Sequence, residues 1–361
     1  MRVALILAVA ACGAFAQAPT PEQLFHEGVA AQQRGDDATA IRKYQELLKL
    51  RPDVMEVRAN LGAVLAKEGR FDEAIAQYRA ALAKNPANVP LRLNLALAYY
   101  KKGDFTEAVE QLQSLHGADP PNARVAMLLA DCYAHLGKNE QVVAVLQPIE
   151  TSHPDDLSVE WLLGSALIRS GNRREGLERV EKVARLGNSA EAWLLAGRAA
   201  LDLTQFERAR DDAAAAMRLS PNLPGVLSVR GMAMYFLGET EAATALLEKA
   251  LAANPDDFDA HLAIGAGLRV ARDLPGARGH LARAVELRPD SSLARYELAR
   301  LERAEGNLDA AVRDFEKVVH ADPNWAQPHI ELSALYFQVN RAGDGERERT
   351  AFERLSAEPG K

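Results

Sequence analysis

The 361-residue chain is 48% apolar but only 6% aromatic, and its 50 acidic and 43 basic side chains give a formal net charge of −7. A general nucleic-acid binder needs a basic surface, so that class is set aside. No alternating runs of β-branched and aromatic residues stand out as strands, and alanine and leucine are strong helix formers, so the chain reads as all-α.

The first predicted element is an export signal over residues 1–16. Arg2 precedes an apolar core from Val3 to Ala11, and Ala14-Phe15-Ala16 places small residues where a signal peptidase reads them. Cleavage is expected after Ala16, with residues 17–20 as a short linker. A competing reading takes Val9-Ala10-Ala11-Cys12 as a bacterial lipobox, with Cys12 lipidated and the protein tethered to the membrane. The apolar run is far shorter than the roughly 20 residues a spanning helix needs, and no later segment reaches that length. Export leaves Cys132 as the sole cysteine; it closes no internal disulfide and reads as a small buried apolar residue.

From Pro21 onward the sequence repeats. Glycines stand at 35, 69, 103, 137 and 171, and prolines at 52, 86, 120 and 154, then at 221, 255, 289 and 323. A fixed interval of this size marks a solenoid. Ten repeats follow in order: 21–54, 55–88, 89–122, 123–156, 157–189, 190–223, 224–257, 258–291, 292–325 and 326–361. Within 89–122, Leu95, Ala96 and Tyr99 share one helical face, and Ala108, Leu112 and Leu115 share another. Gly103 ends the first helix, Thr106 is the expected N-cap of the second, and Pro120 with Asn122 closes it. Each repeat is therefore a helical hairpin. Small residues recur where its helices must meet. They run from Gly28, Gly62 and Ala96 through Ala130, Gly164, Gly197, Gly231, Gly265, Ala299 and Ser333 in first helices. In second helices they are Ala40, Ala74, Ala108, Ala209, Ala243, Ala277 and Ala311.

These residues resemble the tetratricopeptide repeat (TPR) family. Leu61-Gly62, Leu65, Ala74, Tyr78, Ala81 and Pro86 in 55–88 fit its pattern, as do Gly231, Ala243, Leu247, Ala250 and Pro255 in 224–257. The resemblance covers nearly all of 21–361 and implies a right-handed superhelical solenoid of about ten repeats. Repeat 157–189 departs by being one residue short, with Asn188 after Gly187 where proline is expected. This reads as a loop deletion, with altered curvature or a hinge between halves as the alternative. The last repeat has Gly345 and Arg349 where alanine and an aromatic belong. Its Glu346, Arg347, Glu348, Arg349 and Arg354 suit a polar capping helix.

No nucleophile, metal-binding or phosphate-binding motif is present, so neither catalysis nor a cofactor is expected. The eight histidines are scattered and read as surface residues, although His320 and His329 flank one turn. The resemblance implies that first helices line a concave groove. Its groove positions hold Leu93, Leu97, Tyr100, Met127, Trp161, Ile168, Leu194, Tyr235, Phe236, Leu262, Tyr296, Ile330 and Phe337. Polar groups there are Arg124, Arg169, Arg198, Arg269, Arg300 and Arg303, with Asp131, Asp202 and Asp259. About half are expected to be exposed and the rest to pack between repeats, and Trp193 reads as core. Aromatics and arginines dominate binding energy at interfaces. They suit a peptide or helix with apolar anchors and some acidic residues. The Lys/Asn/Arg clamp by which some relatives hold chaperone tails is absent from the first three repeats, where only Asn60 fits. The expected function is a non-catalytic scaffold of the bacterial cell envelope, periplasmic or secreted, binding protein rather than nucleic acid. It contacts membrane only if lipidated at Cys12, as a fixed subunit of an assembly or secretion machine, and homo-oligomers are compatible with the array. A hydrolase or glycan-processing enzyme is the remote alternative.

Overall fold

The computed structural model describes residues 19–357; the export signal, its cleavage point and Cys12 lie outside them. The described residues form twenty helices and no strand. They pair in sequence as ten hairpins: α1 (Pro21–Gln33) with α2 (Asp37–Leu50), α3 (Met55–Lys67) with α4 (Phe71–Leu82), α5 (Val89–Lys102) with α6 (Phe105–Ala118), and α7 (Ala123–His135) with α8 (Asn139–Ser152). Then come α9 (Leu157–Arg169) with α10 (Arg173–Gly187), α11 (Ala190–Asp202) with α12 (Phe206–Leu219), and α13 (Val226–Phe236) with α14 (Thr240–Ala253). The last three are α15 (Phe258–Val270) with α16 (Leu274–Leu287), α17 (Ser292–Ala304) with α18 (Leu308–Ala321), and α19 (Ala326–Gln338) with α20 (Ala342–Ala357). The chain divides at His153/Pro154 into an N-terminal unit and a C-terminal unit, each compact in itself.

The turn inside each hairpin requires one left-handed residue. Gly103 has φ +90° there and donates its N–H to Tyr100 O. The turn between hairpins is fixed by an N-cap: the side chains of Asn88, Asn122, Asp156, Ser189, Asp257 and Ser291 each accept a backbone N–H from the first turn of the following helix. Two expectations are thereby corrected. Asn122 starts α7 rather than closing α6, because its amide oxygen accepts from Val125 N. Thr106 is not a cap: α6 begins at Phe105 with Asp104 at the N-cap, and no side chain caps it. In the short repeat, α10 runs to Gly187 and Asn188 takes the left-handed conformation with φ 48°. An asparagine tolerates that conformation better than most residues. This turn lies inside the C-terminal unit, away from the division at His153.

The small residues do what their recurrence implies. Ala40, Ala74, Ala108, Ala209, Ala243, Ala277 and Ala311 are all fully buried. A Cβ on Gly62 would stand 2.6 Å from Tyr78 Cε1, so that helix pair closes only over a hydrogen. Cys132 is buried and joined to no other cysteine among the described residues, and burial pushes its thiol up to about 12, which keeps it an inert apolar filler.

A polar clasp recurs beside this apolar packing. Arg92 donates to Pro86 O in the preceding turn and to Gln111 Oε1 on its own second helix, at 2.6 and 3.0 Å. Arg58 and Arg295 repeat the pattern with Pro52 and Gln77, and with Pro289 and Asp314. His261 uses it with Pro255 and His280, and His329 with Pro323 and Glu348. From the sequence, the scattered histidines read as surface residues of no special role. His329 is instead only 6% exposed, its two ring nitrogens 3.1 Å from Pro323 O and 2.6 Å from Glu348 Oε2. His320 is exposed and takes no part.

In the C-terminal unit, first helices touch the first helices of neighbouring hairpins, as in α9–α11, α11–α13, α13–α15 and α15–α17. No two second helices pack as closely among the described residues. The first-helix side is thus the tighter face of that stack. The unit closes on α20, whose only buried residue is Gly345, set against the Phe337 ring and accepting from Ser333 Oγ.

Candidate interaction surface

In the N-terminal unit the first-helix face ends in an aromatic cluster. Tyr100 closes α5, Phe105 opens α6, and Asp131 and His135 lie one turn apart on α7. Phe105 and His135 stack at 4.2 Å with rings 2° from parallel, and Tyr100 meets both edge-on. The Tyr100 hydroxyl donates to Asp131 Oδ2 at 2.5 Å. That bond to a carboxylate, then burial, pushes the phenol up to about 12, so it remains a donor at neutral pH. Met127 is half-buried a turn before Asp131, Arg124 is exposed, and Leu93 and Leu97 are half-buried.

In the C-terminal unit the expected groove residues separate into two groups. Trp161 is not a free anchor: its ring packs on the core formed by Leu177, Val180, Ala192 and Ala196. Tyr296 is likewise corrected. It is 5% exposed, edge-on to Phe315 and 4.7 Å from Trp325, because the next hairpin closes over it. Ile168 and Leu262 are buried as well, as members of two apolar core clusters. Tyr235 is half-buried against α15, where a Cβ on Gly267 would stand 2.7 Å from its ring. Phe236, by contrast, is 54% exposed and stacks on Phe206 at 4.6 Å. Phe337 is exposed, Leu194 and Ile330 are half-buried, and Asp202 pairs with Arg173 at 3.2 Å.

The arginines also differ. Arg169 is exposed and forms no ion pair among the described residues. Arg198 lies 3.3 Å from Asp259, whose carboxyl is raised by burial against the opposing pull of Arg198 and Arg288. Arg269, Arg300 and Arg303 converge with Arg272 on an open recess of about 540 Å³ between α15, α17 and α19, lined also by Val270, Ala304 and Glu331. There Arg269 Nη2 lies 3.0 Å from Glu297 Oε2, Arg300 Nη1 lies 3.2 Å from Glu297 Oε1, and Arg303 pairs with Glu331.

The surface also contains residues that sequence reading missed. Phe105 and Phe206 both open second helices, and their recurrence with Phe71 at the same repeat position was a usable signal. Arg272 occupies the turn position held by Gly35, Gly69, Gly103, Gly137 and Gly171, so its signal was an interruption of the glycine period. Among the described residues, no three or more metal-ligating side chains converge, and no helix is long and apolar enough to cross a membrane.

Profiles described as tetratricopeptide repeat match residues 65–128 and 100–165, and a second such profile matches 25–89, 162–224 and 267–324. Together the three segments of the second profile span just over half of the chain. Among solved structures, the APC/C hetero-tetramer Cut9–Hcn1 is 14% identical, with a TM-score of 0.54 over 94% of this chain and 88% of that one. A tetratricopeptide repeat protein from Parabacteroides merdae is 17% identical, with a TM-score of 0.48 over 65% of this chain and 93% of its own. YrrB, described as a TPR protein with an unusual peptide-binding site, is 18% identical, with a TM-score of 0.46 over 51% of this chain and 95% of its own. No curated protein sequence matches the chain.

Proposed function

This chain belongs to the tetratricopeptide repeat family, and from that premise we propose that it is a non-catalytic scaffold of the bacterial cell envelope. It holds peptide or helical segments of partner proteins on the first-helix faces of its hairpins. Repeats of this family indicate a protein–protein interaction scaffold. The observation that carries the finer reading is the uncovered aromatic surface. Phe236 stands open on Phe206, and Tyr100, Phe105 and His135 form a second platform, whereas Tyr296, earlier on its own first helix, is buried under the next hairpin. Exposed aromatic rings beside arginines are the residue types that anchor interfaces, and grooves of this kind receive side chains of extended or helical segments.

The test is competitive capture from an envelope extract of the protein's own host. The comparison is between the native chain and Tyr100→Ala/Phe206→Ser/Phe236→Ser, with circular dichroism to confirm folding. A partner held by the native chain and released by the variant supports the scaffold. A partner held equally by both moves the interface off this face. Export is proposed from the composition of residues 1–16 and is tested by sequencing the N-terminus of the mature protein. Gln17 at the first position indicates peptidase cleavage. A fatty-acid label lost in Cys12→Ser indicates instead the lipid-anchored form.

A further inference from the structure

The recess between α15, α17 and α19 combines three features that the scaffold reading does not require. It is basic within an acidic chain: Arg269, Arg272, Arg300 and Arg303 face Glu297 and Glu331, leaving a formal excess of two positive charges where the whole chain carries −7. Its two glutamates do not use up the guanidinium donors. Each arginine offers five N–H groups in a fork, Arg269 and Arg300 share the one carboxylate of Glu297, and Arg272 forms no ion pair among the described residues. Val270, 63% exposed, and Ala304 give it an apolar wall.

Arg272 is the most telling. It sits in the left-handed region with φ 68°, at the turn position where most hairpins place a glycine. A non-glycine residue there costs about 1 kcal/mol or more in backbone strain. Thr204 and Asn340 hold the same left-handed turn position in two other hairpins, and of these three side chains only Arg272 is charged and lines the recess.

We propose that this recess binds the carboxylates of an acidic, extended protein segment, with an apolar side chain of that segment resting on Val270 and Ala304. The proposal rests on the scaffold reading and names the chemistry of its partner. Arg272 and the free edge of Arg300 grip aspartate or glutamate side chains through paired N–H donors. A volume of about 540 Å³ accommodates two or three residues of such a segment. The apolar lining of Val270 and Ala304 beside the arginines gives an aliphatic side chain a seat that a polyphosphate backbone has nothing to fill, which favours an acidic peptide with an apolar residue over nucleic acid.

The experiment measures fluorescence anisotropy of a labelled peptide carrying Glu-Leu-Glu-Glu-Leu-Glu, titrated with the full chain. Its Gln-for-Glu counterpart, inorganic phosphate and a single-stranded oligonucleotide serve as competitors. Arg272→Gly is the informative variant, because it removes the guanidinium while relieving the φ strain. Its thermal stability is expected to equal or exceed that of the native chain, so lost binding is not unfolding. Binding is expected to fall about tenfold in Arg272→Gly and further with Arg300→Gln, each lost pair amounting to roughly 1.4 kcal/mol. It is also expected to weaken from about 50 mM to about 300 mM salt. The Gln peptide is expected not to compete. Undiminished binding by the double variant overturns the proposal, as does equal competition by the Gln peptide. Competition by phosphate or the oligonucleotide at the same concentration as the Glu peptide assigns the recess to a different ligand and also overturns it. If partner capture succeeds while the Glu peptide fails, this inference falls alone. If both fail, the scaffold reading falls with it.

Discussion

Asp212 lies buried on α12 with its Oδ2 lacking a hydrogen-bond partner among the described residues. Burial first, then the neighbouring Glu181 carboxylate, pushes its carboxyl up to about 7, against the partial relief offered by Arg208. A raised carboxyl pKa means that the folded chain holds a proton which the unfolded chain releases. Its favourable share is complete below the ordinary carboxylate range and is lost as pH rises through about 7. The shift converts to an upper bound of about 4 kcal/mol. Native stability should therefore fall between about pH 4 and pH 7 through this residue. Asp212→Asn should flatten that slope and raise the melting temperature at pH 8 by several degrees, with little difference left near pH 4. Melting curves at four pH values decide it: parallel native and variant profiles would mean that Asp212 is solvated in the native chain.

The register of the hairpins explains why Asp212 stands alone. Its equivalents on other second helices are Gln77, Gln111, His280, Asp314 and Glu348, each bonded to the arginine or histidine that clasps the preceding turn. In this hairpin the clasping position holds Trp193, which packs on the apolar core and donates to none of these acceptors. The clasp ties three pieces of chain together, so its loss should read out at the element that it holds. Arg92 is partly exposed, and Arg92→Ala should cost about 1 kcal/mol. His329→Ala strands Glu348 and a buried carbonyl contact, and should cost about 2–4 kcal/mol. Hydrogen exchange should then rise in α20 first, because Glu348 is the tie between that helix and α19. Unchanged exchange there would show that Ser333 and the Phe337–Gly345 contact hold α20 without it. The close approach of α3 and α4 gives the apolar counterpart. Gly62→Ala drives a methyl into the buried Tyr78 ring and should cost about 1–3 kcal/mol, read as a lower denaturant midpoint at unchanged m-value. Helix type and pairing were legible because the 34-residue glycine and proline period and the buried alanines are local signals. The clasp was not, since it joins residues 6 and 19 positions apart whose polar types vary between hairpins. The candidate surface was half legible for the same reason. Register placed Tyr100, Phe236 and Arg300 correctly on first helices, but Tyr296 and Trp161, also on first helices by register, are covered or packed against by their neighbours. Sequence register fixes the face on which a side chain lies, whereas its exposure depends on the size of the residue opposite.

At the scale of the array, each hairpin of the C-terminal unit is packed only against its neighbours, so stability accumulates as a chain of adjoining interfaces. Ends are then the weak points, and what covers them matters more than their own sequence. The helix α20 buries almost nothing of itself, yet it is the surface against which His329, Ser333 and Phe337 are held. Ending the chain after Asn340 removes that cover and leaves α19 with an open apolar flank, the condition that the polar capping helix prevents. The truncated protein should show raised hydrogen exchange that is greatest in α19, smaller in α17 and α18, and near native by α15 and α16. That gradient distinguishes neighbour-by-neighbour stabilisation from a single cooperative core, which would raise exchange evenly from α9 to α19. Because the arginine recess draws Glu331 from α19, the same truncation should also weaken the acidic peptide. Phe236, three hairpins away from the lost cap, should keep its solvent accessibility and its partner. Loss of both functions together would argue that the unit behaves as one body, and would remove the basis for assigning separate ligands to separate stretches of its first-helix face.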